Sequence, residues 1–214
     1  MKKNLTEAVF ILDRSGSMRS LTADTIGGFN SMLEKQKEGE GECLVSTVLF
    51  NSCSEVLHDR VPIEKVKEMT EKEYVASGST ALIDAMGDAI KHIKDVHKYI
   101  REEDVPEHTI FIITTDGYEN SSHKYSSNEV KKMVEAQKEK GWEFIFLGAN
   151  IDAVETARAY GISEDRSVSF INDRKGIRKN YDSISGVMSC MRTNNEVPAD
   201  WADEIKADYK KRKH

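Results

Sequence analysis

An unbroken apolar run spans Ala8–Leu12 and ends at Asp13. A run of this kind is typical of a strand that is buried on both faces, as the strands of parallel sheets are. In such sheets the carboxyl ends of the strands open onto the crevice where ligands bind. We therefore expect the segment Asp13–Ser17 to lie at a ligand-binding edge of a parallel sheet.

The segment Asp13–Ser17 offers one carboxylate and two hydroxyls, from Asp13, Ser15 and Ser17. These groups supply only oxygen, and no His or Cys stands near them in the sequence. Oxygen donors favour a hard divalent cation over zinc, so we expect Mg²⁺, with Mn²⁺ or Ca²⁺ as the alternatives.

Six apolar runs predict strands, and segments with helical periodicity separate most of them. The runs are Ala8–Leu12, Leu44–Phe50, Val56–His58, Ile110–Thr114, Phe144–Leu147 and Val168–Phe170. The helical segments lie around Ile26–Leu33, Leu82–Ile100, Val130–Val134, Asp152–Gly161 and Ile177–Met191. This alternation predicts an α/β fold with a doubly wound, mostly parallel sheet and helices on both faces.

One connection breaks the pattern. Only five residues separate Phe50 from Val56, too few for the crossover that joins parallel strands. We therefore predict that the third strand runs antiparallel to the second, at an edge of the sheet.

The chain reads as one domain over residues 1–193, followed by a charged tail over residues 194–214. Pro198 stands where a helix could start, and Trp201, Ile205 and Tyr209 then form a narrow apolar seam. We expect this helix to pack on the domain or to extend from it.

The composition is that of a soluble globular protein, with 32% charged and 38% hydrophobic residues. A net charge of −6 argues against nucleic acid or an anionic membrane as the main partner. The three cysteines have no metal-ligand spacing, and the first apolar run is too short for a signal peptide. We expect a cytoplasmic protein without a membrane span, and a monomer by default.

Two further loops carry polar residues at comparable places. Ser77–Thr80 precedes the long second helix, and Thr114–Gly117 follows the fourth strand. Loops at the carboxyl ends of neighbouring strands meet in space, whatever their separation in sequence. The residues expected to converge are Asp13, Ser15, Ser17, Thr80 and Asp116. Each loop also contains a glycine (Gly16, Gly78 or Gly117), where the backbone turns tightly or approaches a neighbour.

This donor set suits an electrophilic metal ion. Hydroxyl oxygens are neutral ligands, so three of them leave a divalent ion poorly neutralised. The two carboxylates are expected to hold metal-bound water. Mg²⁺ keeps several waters, one of which could yield to an acidic oxygen from a partner.

These residues resemble the metal-ion-dependent adhesion site of von Willebrand factor type A domains. The resemblance rests on the Asp-x-Ser-x-Ser motif at Asp13–Ser17, on Thr80 in Gly-Ser-Thr-Ala-Leu, and on Asp116 in Thr-Asp-Gly. It covers residues 5–193 and points to a stand-alone intracellular type of bacterial or phage origin. It implies a six-stranded sheet whose short third strand is antiparallel at the edge.

The resemblance also implies roles for the five residues. Ser15 and Ser17 would ligate the metal directly, Thr80 directly or through water, and Asp13 and Asp116 through bridging waters. The implied function is a non-enzymatic module that presents the ion to a Glu or Asp of a partner protein. Relatives of this type often work beside ATPases or stress-response systems.

Other interpretations of the same residues remain open. Ser15, Ser17 and Thr80 could simply cap helices while Asp13 anchors a turn. Asp13 could instead be the nucleophile of a metal-dependent phosphohydrolase, although such enzymes need a second Asp where Ser15 stands. Dinucleotide binding has little support, because no Gly-x-Gly-x-x-Gly follows the first strand.

The loop after Asp116 raises a separate question. Tyr118, Glu119 and Asn120 are expected either to shape the rim of the site or only to turn the chain. His123 is expected to be an exposed loop residue without a ligand role.

Overall fold

A computed structural model describes residues 1–194 and 196–213. It contains a six-stranded sheet in the order β3-β2-β1-β4-β5-β6. The strands are β1 (Lys2–Asp13), β2 (Glu42–Phe50), β3 (Ser54–Pro62), β4 (Pro106–Thr115), β5 (Glu143–Ala149) and β6 (Ser167–Phe170). All neighbouring strands are parallel except β2 and β3, which confirms the predicted mixed sheet and its antiparallel edge.

Helices cover both faces of the sheet, as predicted. They are α1 (Thr22–Lys37), α2 (Leu82–Tyr99), α3 (Ser127–Lys138), α4 (Ala153–Ala159), α5 (Arg174–Asn194) and α6 (Asp203–Arg212). Apolar side chains of α1, α5 and α6 form a core on one face, and those of α2, α3 and α4 form a second core on the other. No helix in the described part of the chain is both long enough and apolar enough to span a bilayer.

Strand β1 lies at the centre of the fold, and every residue from Leu5 to Asp13 is buried. Phe10 faces α1, where its ring meets that of Phe29 edge to face at 5.3 Å. Because β1 pairs in parallel with both β2 and β4, its end is level with theirs: Asp13 stands opposite Phe50. The polar loops after these strands therefore share one edge of the sheet.

Side chains cap two of the helices. Ser126 and Glu129 form a capping box at the start of α3, and Asp152 accepts the Glu155 N–H at the start of α4. Between Asp13 and α1, a 3₁₀ helix spans Gly16–Leu21, which the sequence pattern did not indicate.

The C-terminal helix differs from its prediction. It begins at Asp203, so Trp201 lies in the turn before it, where the indole N–H donates to the Asp165 carbonyl at 2.8 Å. Trp201 and Ile205 are buried on the α1/α5 face, as the apolar seam suggested. The next buried position, however, is Asp208, whose carboxylate accepts hydrogen bonds from Arg212. This ion pair allows the Asp208 carboxylate to be buried, whereas Tyr209, the third residue of the predicted seam, is only half-buried.

Two neighbouring glycines of α1 test how tightly this helix packs against α5. A Cβ at Gly28 would lie 2.3 Å from Tyr181 Cδ2, whereas a Cβ at Gly27 would meet nothing within 4 Å. We expect Gly28→Ala to lower the free energy of unfolding by about 1–3 kcal/mol, since the buried ring must move. Gly27→Ala should raise it by about 0.5–1 kcal/mol, because alanine favours a helix. Urea unfolding measures both, and equal effects of the two substitutions would contradict this packing.

Candidate functional site

Asp13 is held rigidly at the end of β1. Its Oδ1 accepts the backbone N–H of Ser15 at 2.7 Å, and its Oδ2 accepts the hydroxyl of Thr115 at 2.7 Å. The Tyr74 hydroxyl donates to the Asp13 backbone carbonyl. With 1% exposure, Asp13 cannot reorient towards solvent.

The loop Asp13–Ser17 contacts the loop Thr114–Gly117 through a chain of side-chain hydrogen bonds. The hydroxyl oxygens of Ser15 and Ser17 lie 3.0 Å apart, and Ser17 donates to Asp116 Oδ1 at 2.6 Å. Ser15 and Asp116 are each 2% exposed, whereas Ser17 is exposed. Ser17 therefore marks the side on which the cluster is open to solvent.

Thr80 connects the loop Ser77–Thr80 to the segment that follows Asp116. Its N–H donates to Asn120 Oδ1 at 2.9 Å, and its carbonyl accepts the Asn120 N–H at 3.0 Å. Its hydroxyl is close to the loop Thr114–Gly117, since a Cβ at Gly117 would lie 3.9 Å from it. Within the described residues this hydroxyl makes no hydrogen bond, which leaves its oxygen available to a ligand.

The loops Asp13–Ser17 and Ser77–Thr80 contact each other at Gly16 and Gly78. The N–H of Gly16 donates to the Gly78 carbonyl at 3.1 Å, and a Cβ at Gly16 would stand only 3.3 Å from that oxygen. Gly78 has a φ of +74°, a conformation that other residues adopt at a cost. All five predicted residues are thus brought to one edge of the sheet, as the sequence predicted.

The cluster has more negative charge than its surroundings neutralise. Asp13 and Asp116 are both buried, and in the described part of the chain their hydrogen-bond donors are all uncharged. Burial raises the pKa of Asp13; hydrogen bonds from Thr115 and Ser15 oppose this rise, and the charge of Asp116 adds to it. Two buried carboxylates without a cation are costly, so a bound cation would relieve a real electrostatic strain.

The donors present fit a hard divalent ion. Residues 1–194 and 196–213 contain no group of three or more His, Cys, Asp or Glu side chains that could hold a metal. Here hydroxyls complete the donor set instead: two carboxylates and three hydroxyl groups, all oxygen. That composition suits Mg²⁺, Mn²⁺ or Ca²⁺.

Two asparagines, which the sequence analysis missed, support Asp116. Asn172 donates from Nδ2 to Asp116 Oδ2 at 2.9 Å, and Asn150 donates to the Asp116 carbonyl at 3.3 Å. Asn150 and Asn172 stand just after β5 and β6, so the rule that strand ends share an edge could have indicated them. The buried Oδ1 of Asn172 has no partner among the described residues.

The loop after Asp116 divides its residues between two roles. Glu119 accepts the N–H of Ile83 at 2.8 Å, and Asn120 binds Thr80, so both tie the loop to the start of α2. Tyr118, two residues after Asp116, is 64% exposed. His123 is exposed, as expected.

The geometry does not favour Asp13 as a nucleophile. Both carboxylate oxygens already accept hydrogen bonds, and the side chain is almost fully buried. A nucleophile must approach its substrate, and this carboxylate faces the interior of the cluster.

No protein-family model and no curated protein matches the chain, whereas many solved structures share its fold. Proximal thread matrix protein 1 from the mussel byssus is 15% identical, with a TM-score of 0.57, over 85% of this chain and 45% of that chain. A von Willebrand factor type A structure from Catenulispora acidiphila is 14% identical, with a TM-score of 0.57, over 86% and 42%. The vWF domain of the type V pili tip protein Mfa5 from Porphyromonas gingivalis is 10% identical, with a TM-score of 0.62, over 90% and 98%.

At these identities the comparisons establish the fold alone. The chain spans less than half of the mussel and Catenulispora chains. A further structure of the mussel protein has zinc in its metal-ion-dependent adhesion site (MIDAS) motif.

Replacing Asp116 separates the cost of its charge from its role in metal binding. In Asp116→Asn, the oxygen of the new side-chain amide can still accept a hydrogen bond from Ser17. Its N–H₂ can donate to Asn172 Oδ1, which has no partner among the described residues, once the Asn172 amide group rotates by about 180°. We expect the metal-free protein to gain on the order of 1 kcal/mol of stability, since the repulsion of Asp13 is removed. We also expect Mg²⁺ or Mn²⁺ to stop raising the melting temperature. Thermal unfolding in EDTA and in either metal measures both, and a destabilised variant that still responds to metal would contradict the assignment.

Proposed function

On the von Willebrand factor type A fold that this chain shares with these structures, we propose a metal-dependent protein-interaction module. A divalent cation held by Asp13, Ser15, Ser17, Thr80 and Asp116 would bind an acidic residue of a partner protein. The observation that supports the proposal is the pair of buried carboxylates, which have no basic partner among the described residues and lie beside three hydroxyl groups.

The residues divide the work by charge and exposure. The hydroxyls of Ser15, Ser17 and Thr80 would supply neutral oxygen ligands. Asp13 and Asp116 would bind water molecules that are coordinated to the cation. The cation would supply the positive charge that attracts a carboxylate. Because the hydroxyls do not cancel that charge, the ion stays attractive to an anionic oxygen.

Mg²⁺ is the cation we propose, with Mn²⁺ or Ca²⁺ as the alternatives. The all-oxygen donor set supports a hard ion, and the zinc occupied MIDAS of the mussel protein supports divalent binding on this fold. The partner would approach from the side of Ser17 and Tyr118, the exposed residues of the rim.

The proposal includes a non-catalytic role in a cytoplasmic setting. Asp13 is the only nucleophile candidate that the sequence raised, and its burial argues against that chemistry. The three cysteines are free thiols, which suits a reducing compartment.

Metal binding is tested by removing two hydroxyl ligands at once. We expect Ser15→Ala combined with Ser17→Ala to weaken Mn²⁺ binding about tenfold or more, measured by isothermal titration calorimetry. Ser20→Ala is the matched control, because Ser20 is an exposed serine of the same 3₁₀ helix as Ser17. Equal Mn²⁺ affinities of the double variant and the wild type would contradict the site.

Partner binding is tested with peptides of known sequence. We expect a phage-displayed peptide library, selected on the Mn²⁺-loaded protein and eluted with EDTA, to be enriched in Asp or Glu at one position. The variant with both serines replaced should retain no such peptides. Enrichment without an acidic residue, or elution that does not depend on EDTA, would contradict the proposed recognition of a carboxylate.

A further inference from the structure

A groove of about 550 Å³ lies at the amino ends of the strands, opposite the candidate metal site. The end of α2, the segment after α3 and the start of β4 enclose it. We call it the basal groove; the residues used below are Lys94, His97, Lys98, Gln137, Lys140 and Trp142. Its volume is within the range of small-molecule sites.

The basal groove is positively charged, although the chain as a whole carries −6. Lys94, Lys98 and Lys140 are exposed, and none forms an ion pair with the described residues. By contrast, Lys91 of the same helix pairs with Asp95 at 2.7 Å. The one acidic side chain lining the groove, Glu107, accepts the N–H of Asn4 at 2.8 Å.

This arrangement of lysines is unfavourable for the protein alone. Lys94 and Lys98 stand one turn apart on one face of α2, where like charges repel. The negative end of the helix dipole offsets this for Lys98, which is in the last turn of α2, but the dipole effect fades beyond that turn. An anion in the groove would relieve the repulsion of both.

Gln137 can supply a further hydrogen-bond donor to the basal groove. It lines the groove and is 4% exposed, and its side-chain Nε2 makes no hydrogen bond among the described residues. An amide N–H₂ donates hydrogen bonds, so this group can bind an oxyanion, whereas the amide oxygen of the same side chain cannot.

His97 is held in a fixed orientation at the same groove. Its Nε2 donates to Glu7 at 2.5 Å, and the buried Glu7 also accepts from Arg60 Nε at 2.6 Å. The imidazole meets the Trp142 ring edge to face at 5.3 Å. Its Nδ1 has no partner in the described part of the chain; while Nε2 carries the proton, Nδ1 can accept a hydrogen bond from a ligand hydroxyl but cannot bind a phosphate oxygen.

We propose that the basal groove binds a small phosphorylated molecule, with Lys94, Lys98 and Lys140 contacting the phosphate oxygens. Three lysines match an oxyanion of more than one negative charge better than a single carboxylate does. The confined volume and the acidic character of the chain favour a small molecule over nucleic acid. The site is separate from the metal site and does not depend on it.

Calorimetric titration with inorganic pyrophosphate in EDTA tests the groove without any divalent metal. We expect binding by the wild type, and about tenfold or more weaker binding by Lys94→Ala combined with Lys140→Ala. Lys91→Ala is the control, since it removes one positive charge from the same helix outside the groove. The variant lacking the Ser15 and Ser17 hydroxyls should bind pyrophosphate as the wild type does.

Three results would overturn the proposal. The first is the absence of pyrophosphate binding at millimolar concentration. The second is an equal loss of affinity in Lys91→Ala, which would indicate only general attraction of charge. The third is unchanged affinity in the double lysine variant, whose fold can be checked by its urea unfolding curve.

Discussion

The burial of Asp13 at the end of the central strand is the constraint on which the site depends. Strand β1 pairs on both sides and is covered on both faces, so its last residue cannot move without moving the sheet. Hydrogen bonds from Ser15 and Thr115 then fix both carboxylate oxygens. Because the carboxylate is fixed, its hydrogen bonds also fix the positions of the loops that donate to it.

The protein tolerates two buried carboxylates by surrounding them with neutral donors. Hydroxyl and amide groups of Ser17, Thr115 and Asn172 stabilise the charges without cancelling them. A basic side chain in the same place would stabilise the folded chain more but would leave no charge for a cation to neutralise. The proposed site would therefore gain affinity for a cation at the cost of stability of the metal-free chain. At the other end of the sheet the unpaired charge is positive, since lysines that form no ion pair within the described residues line the basal groove.

The sequence predicted six strands, the mixed sheet with its antiparallel edge strand, and the five clustered residues. The sequence pattern was less accurate where strand residues are exposed or where a polar residue is buried. Strand β3 runs over Ser54–Pro62 and not only Val56–His58, because an edge strand has many exposed positions and gives a weak apolar signal. Trp201 lies outside α6, and Asp208 occupies a buried position, because specific hydrogen bonds there outweigh the apolar pattern.

The sequence by itself determined that a carboxylate and hydroxyls stand at the ends of buried strands, because apolar runs and turn residues are local signals. Only the tertiary structure decided which of these groups touch and which are exposed. Ser17 reaches Asp116 across the sheet edge, and Asn172 supports the same carboxylate from the segment after β6, far along the chain. Such contacts depend on strand order and register, which arise from the packing of the whole chain and not from any segment of it.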